Sequence, residues 1–126
     1  FWTISSPPAN KNKIVHEVMI WVDQSRLGPA GSLVATAPIA GNTWRVFHGG
    51  VHGDISGNNS NTWTIISLVA EKPLLHGPLD VSAIIDYLVQ VRLLDKNLYV
   101  ACLELGNEIS SGSGKTEVRN YNVRLE

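Results

Sequence analysis

Two glutamates of this 126-residue chain stand on segments that otherwise have the apolar composition of core strands. Glu17 heads the string EVMIW, residues 17–21, and Glu108 lies within ELGNEISSGSG, residues 104–114. A buried carboxylate is costly unless it is paired. Two carboxylates placed in this way suggest a working pair, in which one group is ionised while the other gives and takes a proton.

Residue alternation along the first segment separates two very different faces, because successive strand side chains point in opposite directions. One face carries Glu17, Met19 and Trp21, and the other carries Val18, Ile20 and Val22. The second set is typical of core. An acid, a thioether and an indole together suit neither solvent nor core, but they do suit a concave ligand surface, where aromatic rings stack on sugars.

The second segment, residues 97–109, is also predicted to be a strand. Its core face is expected to hold Tyr99, Ala101, Leu103 and Leu105. Its other face holds Cys102, Glu104, Gly106 and Glu108. Glu104 and Glu108 are roughly 13 Å apart along a strand, so each could face a carboxylate on a neighbouring strand rather than the other. Solvent-exposed glutamates without a function are the alternative, and the pattern alone leaves both open.

The elements that must position these residues are mostly strands. Short β-branched and aromatic runs between Gly, Pro and Asn turns predict six or seven of them. The clearer runs are residues 1–6, 14–22, 43–50, 62–72, 97–109 and 116–126. Residues 79–94 instead have apolar side chains at helical spacing, and Asp80 could cap that helix. We therefore expect one all-β domain, an antiparallel sandwich with one helix packed on it.

Composition excludes several classes of function. The net charge of −1 offers no basic field for nucleic acid, and no stretch is apolar enough to span a membrane. Cys102 is the single cysteine and is expected to be a small buried residue. The four histidines lack metal-ligand spacing, so neither a metal nor a cofactor is expected. Trp44 and Trp63 are either core residues or platforms of a ligand site, and Trp44 is kept as a candidate substrate-binding residue.

From about residue 14 onward the sequence resembles glycoside hydrolase family 12, and most closely its members from hyperthermophilic archaea and some bacteria. The resemblance rests on EVMIW, a GPAGS loop, a helix, a strand that carries E-x-G-x-E, and a Gly-rich turn with a last strand. These stand at residues 17–21, 28–32, 80–94, 104–108 and 112–126. The family implies a jelly-roll, concanavalin-like β-sandwich.

The resemblance also implies roles for single residues. Glu17 stands at the position of the nucleophile and Glu108 at that of the general acid/base. Met19 and Trp21 match residues that line the cleft, and Glu104 matches a polar cleft position. The implied activity is that of a retaining endo-β-1,4-glucanase acting on cellulose or mixed-linkage β-glucan. A xyloglucan-specific endoglucanase, and a non-catalytic carbohydrate-binding or incomplete fragment, are the alternatives.

Family members are close to twice the length of this chain. The resemblance therefore implies that residues 1–126 are the C-terminal portion of a single catalytic domain and supply about half of its sandwich. A second polypeptide, or a second copy, is expected to supply the other strands. The implied localisation is extracellular, as a secreted protein.

Overall fold

Strands dominate the computed structural model, which describes residues 1–54, 56 and 60–125. The strands in this part of the chain are β1 (Trp2–Ile4), β2 (Ile14–Trp21), β3 (Ser32–Ile39), β4 (Asn42–Gly53), β5 (Thr62–Ala70) and β6 (Tyr99–Cys102). One α-helix, α1, spans Val81–Gln90, and a short 3-10 turn spans Lys11–Lys13. The predicted class, all-β with one helix, is confirmed.

The described strands form one mixed sheet in the order β3-β4-β5-β2-β1-β6. Its pairs are antiparallel except β2 with β5, which run parallel with Glu17 opposite Ile65. The expectation of a purely antiparallel arrangement is wrong at this pair. After β2 the chain crosses to the far edge of the sheet and winds back through β3 and β4, so β5 arrives beside β2 in the same direction. Hydrophobic alternation reports a strand's faces and not its direction.

Helix α1 covers one face of the sheet. Asp80 caps it as predicted, because its carboxylate accepts a hydrogen bond of 2.9 Å from the backbone N–H of Ala83. Ile84 and Leu88 are buried, whereas Val91, at the end of the helix, is 41% exposed. The buried cluster contains Phe1, Val18, Ala37, Ile39, Trp44, Val46, Ile66, Leu68, Ile84, Leu88 and Leu94. This helix-covered face is the core, and it leaves the opposite face of the sheet to carry a site.

Removing the side chain of Leu88 is expected to destabilise the fold strongly. The side chain is fully buried in the helix–sheet core, so Leu88→Ala is expected to lower the free energy of unfolding by about 2–5 kcal/mol. Val91→Ala, at the C-cap of the same helix, is the control, and its cost should be far smaller because that side chain is partly exposed. Urea unfolding of both variants measures the difference, and equal losses would contradict this assignment of the core.

The C-terminal part of the chain departs from the prediction. β6 ends at Cys102, and no strand forms in residues 103–125, so the strands predicted over 97–109 and 116–126 are wrong beyond that point. Tyr99, Leu103 and Leu105, expected in a core, are 51%, 42% and 54% exposed, and Cys102 is exposed too. A strand needs both a partner for its backbone and a surface to cover its apolar face. The described residues supply neither beyond β6.

No helix in the described part of the chain has the length and apolarity needed to cross a membrane.

Candidate active site

Glu17 lies near the middle of the sheet, on the face opposite the helix. Its neighbour on the chain, Val18, is buried in the helix-side core, and alternation therefore turns Glu17 to the other face. The carboxylate is half-buried and accepts a hydrogen bond of 3.2 Å at Oε2 from the indole Nε1 of Trp63. The predicted separation of these two faces of β2 is confirmed.

Glu104 reaches the same part of the molecule through Trp2. The indole Nε1 of Trp2 donates to Oε2 of Glu104 at 2.9 Å. The rings of Trp2 and Trp63 meet edge to face, with centroids 5.6 Å apart and planes at 76°. Glu17 and Glu104, 87 residues apart in the sequence, are thus linked through two tryptophans.

The sequence did not identify this pair of tryptophans. The sequence pattern leaves Trp63 open between core and site, and it gives no reason to single out Trp2. Trp2 pairs directly with Glu17 across β1 and β2, but that register is set by the tertiary fold and cannot be seen in the sequence. β5 is buried on both faces from Ile65 to Val69, so its alternation gives no sign of which face Trp63 occupies. The available signal was the parity of Trp63 with Ile65, which would have required knowing that Ile65 stands opposite Glu17.

The surroundings of Glu17 raise the pKa of its carboxyl above the ordinary value. Burial is the main cause, because removal from water disfavours the charged form. The hydrogen bond from Trp63 acts in the opposite direction, while the negative charge of Glu108 adds to the rise. His52 and the amino group of Phe1 lower the pKa to a smaller extent. A partly buried carboxyl under these influences is the kind of group found at functional sites.

Glu108 stands in the irregular segment after β6 and is exposed. Its negative charge is one of the smaller influences that raise the pKa of Glu17. The expected strand position of Glu108 is wrong, because β6 ends six residues earlier. Its role as the general acid/base stays a prediction.

Met19 and Trp21 continue the face of Glu17 along β2. Both are half-buried, and they stand opposite Ser67 and Val69 of β5. Their side chains follow Glu17 at every second residue, as the pattern predicted. Their contact with a substrate stays a prediction.

Trp44 is not a substrate-binding residue in this structure. It is 1% exposed, belongs to the helix-side core, and its indole N–H points to the backbone oxygen of Ile39 at 3.4 Å. A side chain enclosed on that face cannot stack on a sugar bound beside Glu17. The candidate assignment is therefore corrected: Trp44 packs the core, as its neighbour at the same parity, Val46, does.

His16 directly precedes Glu17 in the sequence, so strand alternation turns it to the opposite, helix-covered face. Its Nδ1 is 2.6 Å from the hydroxyl of Thr64, within hydrogen-bond distance across β2 and β5. Burial lowers the pKa of His16, and His48 lowers it further. Among the residues that the structure describes, no three His, Cys, Asp or Glu side chains gather as metal ligands.

One face of the sheet is packed against a helix, and the other carries carboxylates beside indole rings, so the fold is a β-sheet protein with an acidic candidate site on its second face. The chain belongs to glycosyl hydrolase family 12, whose family model matches residues 2–126. This confirms the family that the sequence motifs indicated.

Relatives of different kinds match this chain. It is 30% identical over 111 residues to endoglucanase S of Pectobacterium parmentieri, which covers 87% of this chain and 40% of that protein. It is 28% identical over 126 residues to an inactive glycoside hydrolase of Phytophthora nicotianae, which covers 96% of this chain and 48% of that protein. Among solved structures, a family 12 xyloglucanase of Bacillus licheniformis has a TM-score of 0.68 and 27% identity, over 79% of this chain and 42% of that one. The chain thus spans less than half the length of these proteins.

Proposed function

We propose that the domain containing residues 1–126 is a retaining endo-β-1,4-glucanase that hydrolyses internal bonds of cellulose or mixed-linkage β-glucan. The observation that carries the proposal is the environment of Glu17. The carboxylate of Glu17 is half-buried and accepts a hydrogen bond from the indole N–H of Trp63, and the charge of Glu108 raises its pKa. Met19 and Trp21 follow Glu17 on the same face of β2. Membership of glycosyl hydrolase family 12 supports it.

The proposed mechanism divides the work between the two carboxylates. Ionised Glu17 attacks the anomeric carbon, while Glu108 gives a proton to the leaving glycosidic oxygen. Glu108 then takes a proton from the water that cleaves the glycosyl-enzyme. Retention of configuration calls for carboxyl groups about 5–5.5 Å apart. Trp21, and the indoles beside Glu17, offer apolar faces on which sugar rings can stack.

The rate of hydrolysis should fall as the pH falls through the pKa of Glu17, because only the ionised carboxylate attacks. Since burial raises that pKa, we expect this acid limb to lie above the ordinary range of a glutamate. The pH profile of kcat/KM reports groups of the free enzyme and measures it. An acid limb at or below the ordinary range would contradict the proposed state of Glu17.

Residues 1–126 are proposed to be the C-terminal portion of this catalytic domain, with the remaining strands supplied by a second polypeptide or a second copy. Two observations support this. The chain spans 40–48% of its relatives, and residues 103–125 expose Leu103, Leu105 and Tyr121, which an added layer would cover. Native mass spectrometry would show whether a second chain accompanies this one. An extracellular location is proposed because glucan polymers are found outside cells.

Product stereochemistry tests the activity most directly. Proton NMR of a fresh reaction on soluble mixed-linkage β-glucan should show the β-anomer first, followed by slow mutarotation. Initial α-anomer would indicate an inverting enzyme and remove Glu17 from the role of nucleophile.

Xyloglucan is the second candidate substrate. The similarity to the Bacillus licheniformis xyloglucanase favours it, as the likeness to endoglucanase S favours unsubstituted glucan. Comparing kcat/KM on xyloglucan, mixed-linkage glucan and a soluble cellulose derivative separates the two candidates.

A non-catalytic carbohydrate-binding role is the third candidate, and the similarity to an inactive glycoside hydrolase supports it. Binding of cello-oligosaccharides without any release of reducing ends would support that role and contradict the glucanase proposal.

A further inference from the structure

Two tryptophans from the strands on either side of β2 meet next to Glu17. Trp2, on β1, is the direct partner of Glu17 in the β1–β2 register. Trp63, on β5, precedes by two residues Ile65, the partner of Glu17 on the other side. Their rings are in edge-to-face contact with centroids 5.6 Å apart. Glu17 is therefore flanked by an indole on each side.

Each of the two indoles donates its single N–H to a different carboxylate. Trp63 donates to Oε2 of Glu17 at 3.2 Å, and Trp2 donates to Oε2 of Glu104 at 2.9 Å. An indole is a donor only, so it stabilises a carboxylate in its ionised, accepting form. With its single N–H it engages one oxygen of that carboxylate and not the other.

We propose that Trp63 is a positioning residue for Glu17: it holds Oε2, so that Oε1 is the oxygen presented for attack, and Trp2, anchored by Glu104, fixes the ring of Trp63. This inference deepens the proposed glucanase function and rests on it. It also gives Glu104 a part in the site that differs from substrate contact, since its carboxylate orients the first of the two rings.

The edge-to-face contact explains why two tryptophans are used. A single indole on β5 could rotate about its side-chain torsions, but the edge of a second ring restricts it and adds a favourable aromatic contact. Since Trp2 and Trp63 stand on strands that both pair with β2, the sheet itself sets the distance between them. The ring of Trp63 is therefore held between its hydrogen bond to Glu17 and the ring of Trp2.

In addition to the neutral indole of Trp63, several charged groups affect the pKa of Glu17. Glu108 raises the pKa of Glu17, while His52 and the amino group of Phe1 lower it. Burial outweighs these effects and favours the protonated carboxyl. The N–H of Trp63 works against burial, and removing it should therefore make Glu17 harder to ionise.

NMR titration tests the contact without requiring turnover. The side-chain carboxyl carbon of Glu17 and the indole N–H of Trp63 are followed together as the pH is lowered, and are assigned with Glu→Gln and Trp→Phe variants. We expect the Trp63 indole signal to shift with the same midpoint as the Glu17 carbon, because the bond weakens when the carboxylate gains a proton. That shift should disappear in Glu17→Gln. The indole of Trp44, enclosed in the core, is the internal control and should stay still while the fold persists.

Trp63→Phe removes the N–H and keeps an aromatic ring for contact with Trp2. The Glu17 midpoint is expected to rise in this variant, and the acid limb of the pH–rate profile should rise by the same amount, with kcat falling more than KM changes. Trp2→Phe should move the Glu17 midpoint less, because Trp63 keeps its bond. If the role of Trp63 were only structural, the substitution would change stability but would move neither the Glu17 titration midpoint nor the acid limb of the pH–rate profile.

Two results would overturn the inference: a Trp63 indole signal that stays still through the titration of Glu17, or an unchanged Glu17 midpoint in Trp63→Phe. If Trp63→Phe fails to fold, which loss of the native Trp44 signal would reveal, the Glu17→Gln spectrum still decides. The outcome is separable from that of the proposed function. If the Trp63 and Glu17 signals titrate together in a protein without activity, the contact is supported and the glucanase proposal is contradicted. If the protein is active but the two signals titrate independently, the glucanase proposal is supported and the inference about Trp63 is contradicted.

Discussion

Glu17→Gln is expected to lower kcat on soluble β-glucan by about 10⁴-fold or more, as the loss of an activated nucleophile does in other hydrolases. A neutral amide cannot attack the anomeric carbon. The amide has nearly the shape of the carboxylate, and its oxygen can still accept the hydrogen bond from Trp63. The fold should therefore persist, and a reducing-end assay measures the loss of turnover.

Glu71→Gln is the matched control for this experiment. Glu71 is exposed, directly follows β5 and lies outside the proposed site, so its activity should equal that of the unchanged chain. Affinity of Glu17→Gln for cello-oligosaccharides should be kept, because stacking on the indoles does not need the nucleophile. Equal activity of Glu17→Gln and the unchanged chain would falsify the assignment of Glu17 as nucleophile.

The local parts of this fold could be predicted because their signals lie close together in the sequence. Helix α1 follows from the spacing of Ile84 and Leu88 and from the capping residue Asp80. The two faces of β2 follow from alternation over six residues. Trp44 could have been placed as well, since it shares its parity with Val46, and both are core residues. The sequence pattern leaves Trp44 open between core and platform, and this parity is the argument that decides for the core.

The remainder of the site depends on which strands become neighbours. The pairing of Trp2 with Glu17, and the parallel pairing that brings Trp63 beside it, join residues far apart in the chain and leave no local pattern. Residues 116–125 show the opposite case, in which a local pattern is present but the predicted strand does not form. The residues alternate as in a strand, but a strand forms only where a neighbouring backbone can hydrogen-bond to it and an apolar layer can cover its hydrophobic face.

Glu108→Ala is expected to lower kcat on β-glucan by about 10²–10⁴-fold, which is the usual contribution of a general acid/base. Removing the acid leaves the poor leaving oxygen of a polysaccharide without a proton, so the first step slows. An aryl glycoside whose leaving group needs no proton should lose far less in that step. Azide should then restore turnover, because it attacks the glycosyl-enzyme without the help of a base, and a retaining enzyme would give the β-glycosyl azide.

Glu117→Ala is the matched control, because Glu117 is an exposed carboxylate in the same irregular segment, where it pairs with Arg119 at 2.7 Å. Its activity should be unchanged. A similar loss in both variants would mean that the segment tolerates no change, rather than that Glu108 transfers a proton. An α-glycosyl azide would indicate inversion, and a lack of any azide effect would remove Glu108 from acid/base catalysis. Because Glu108 lies beyond the last described strand, the same assay reports whether its carboxyl comes within working distance of Glu17 in the active protein.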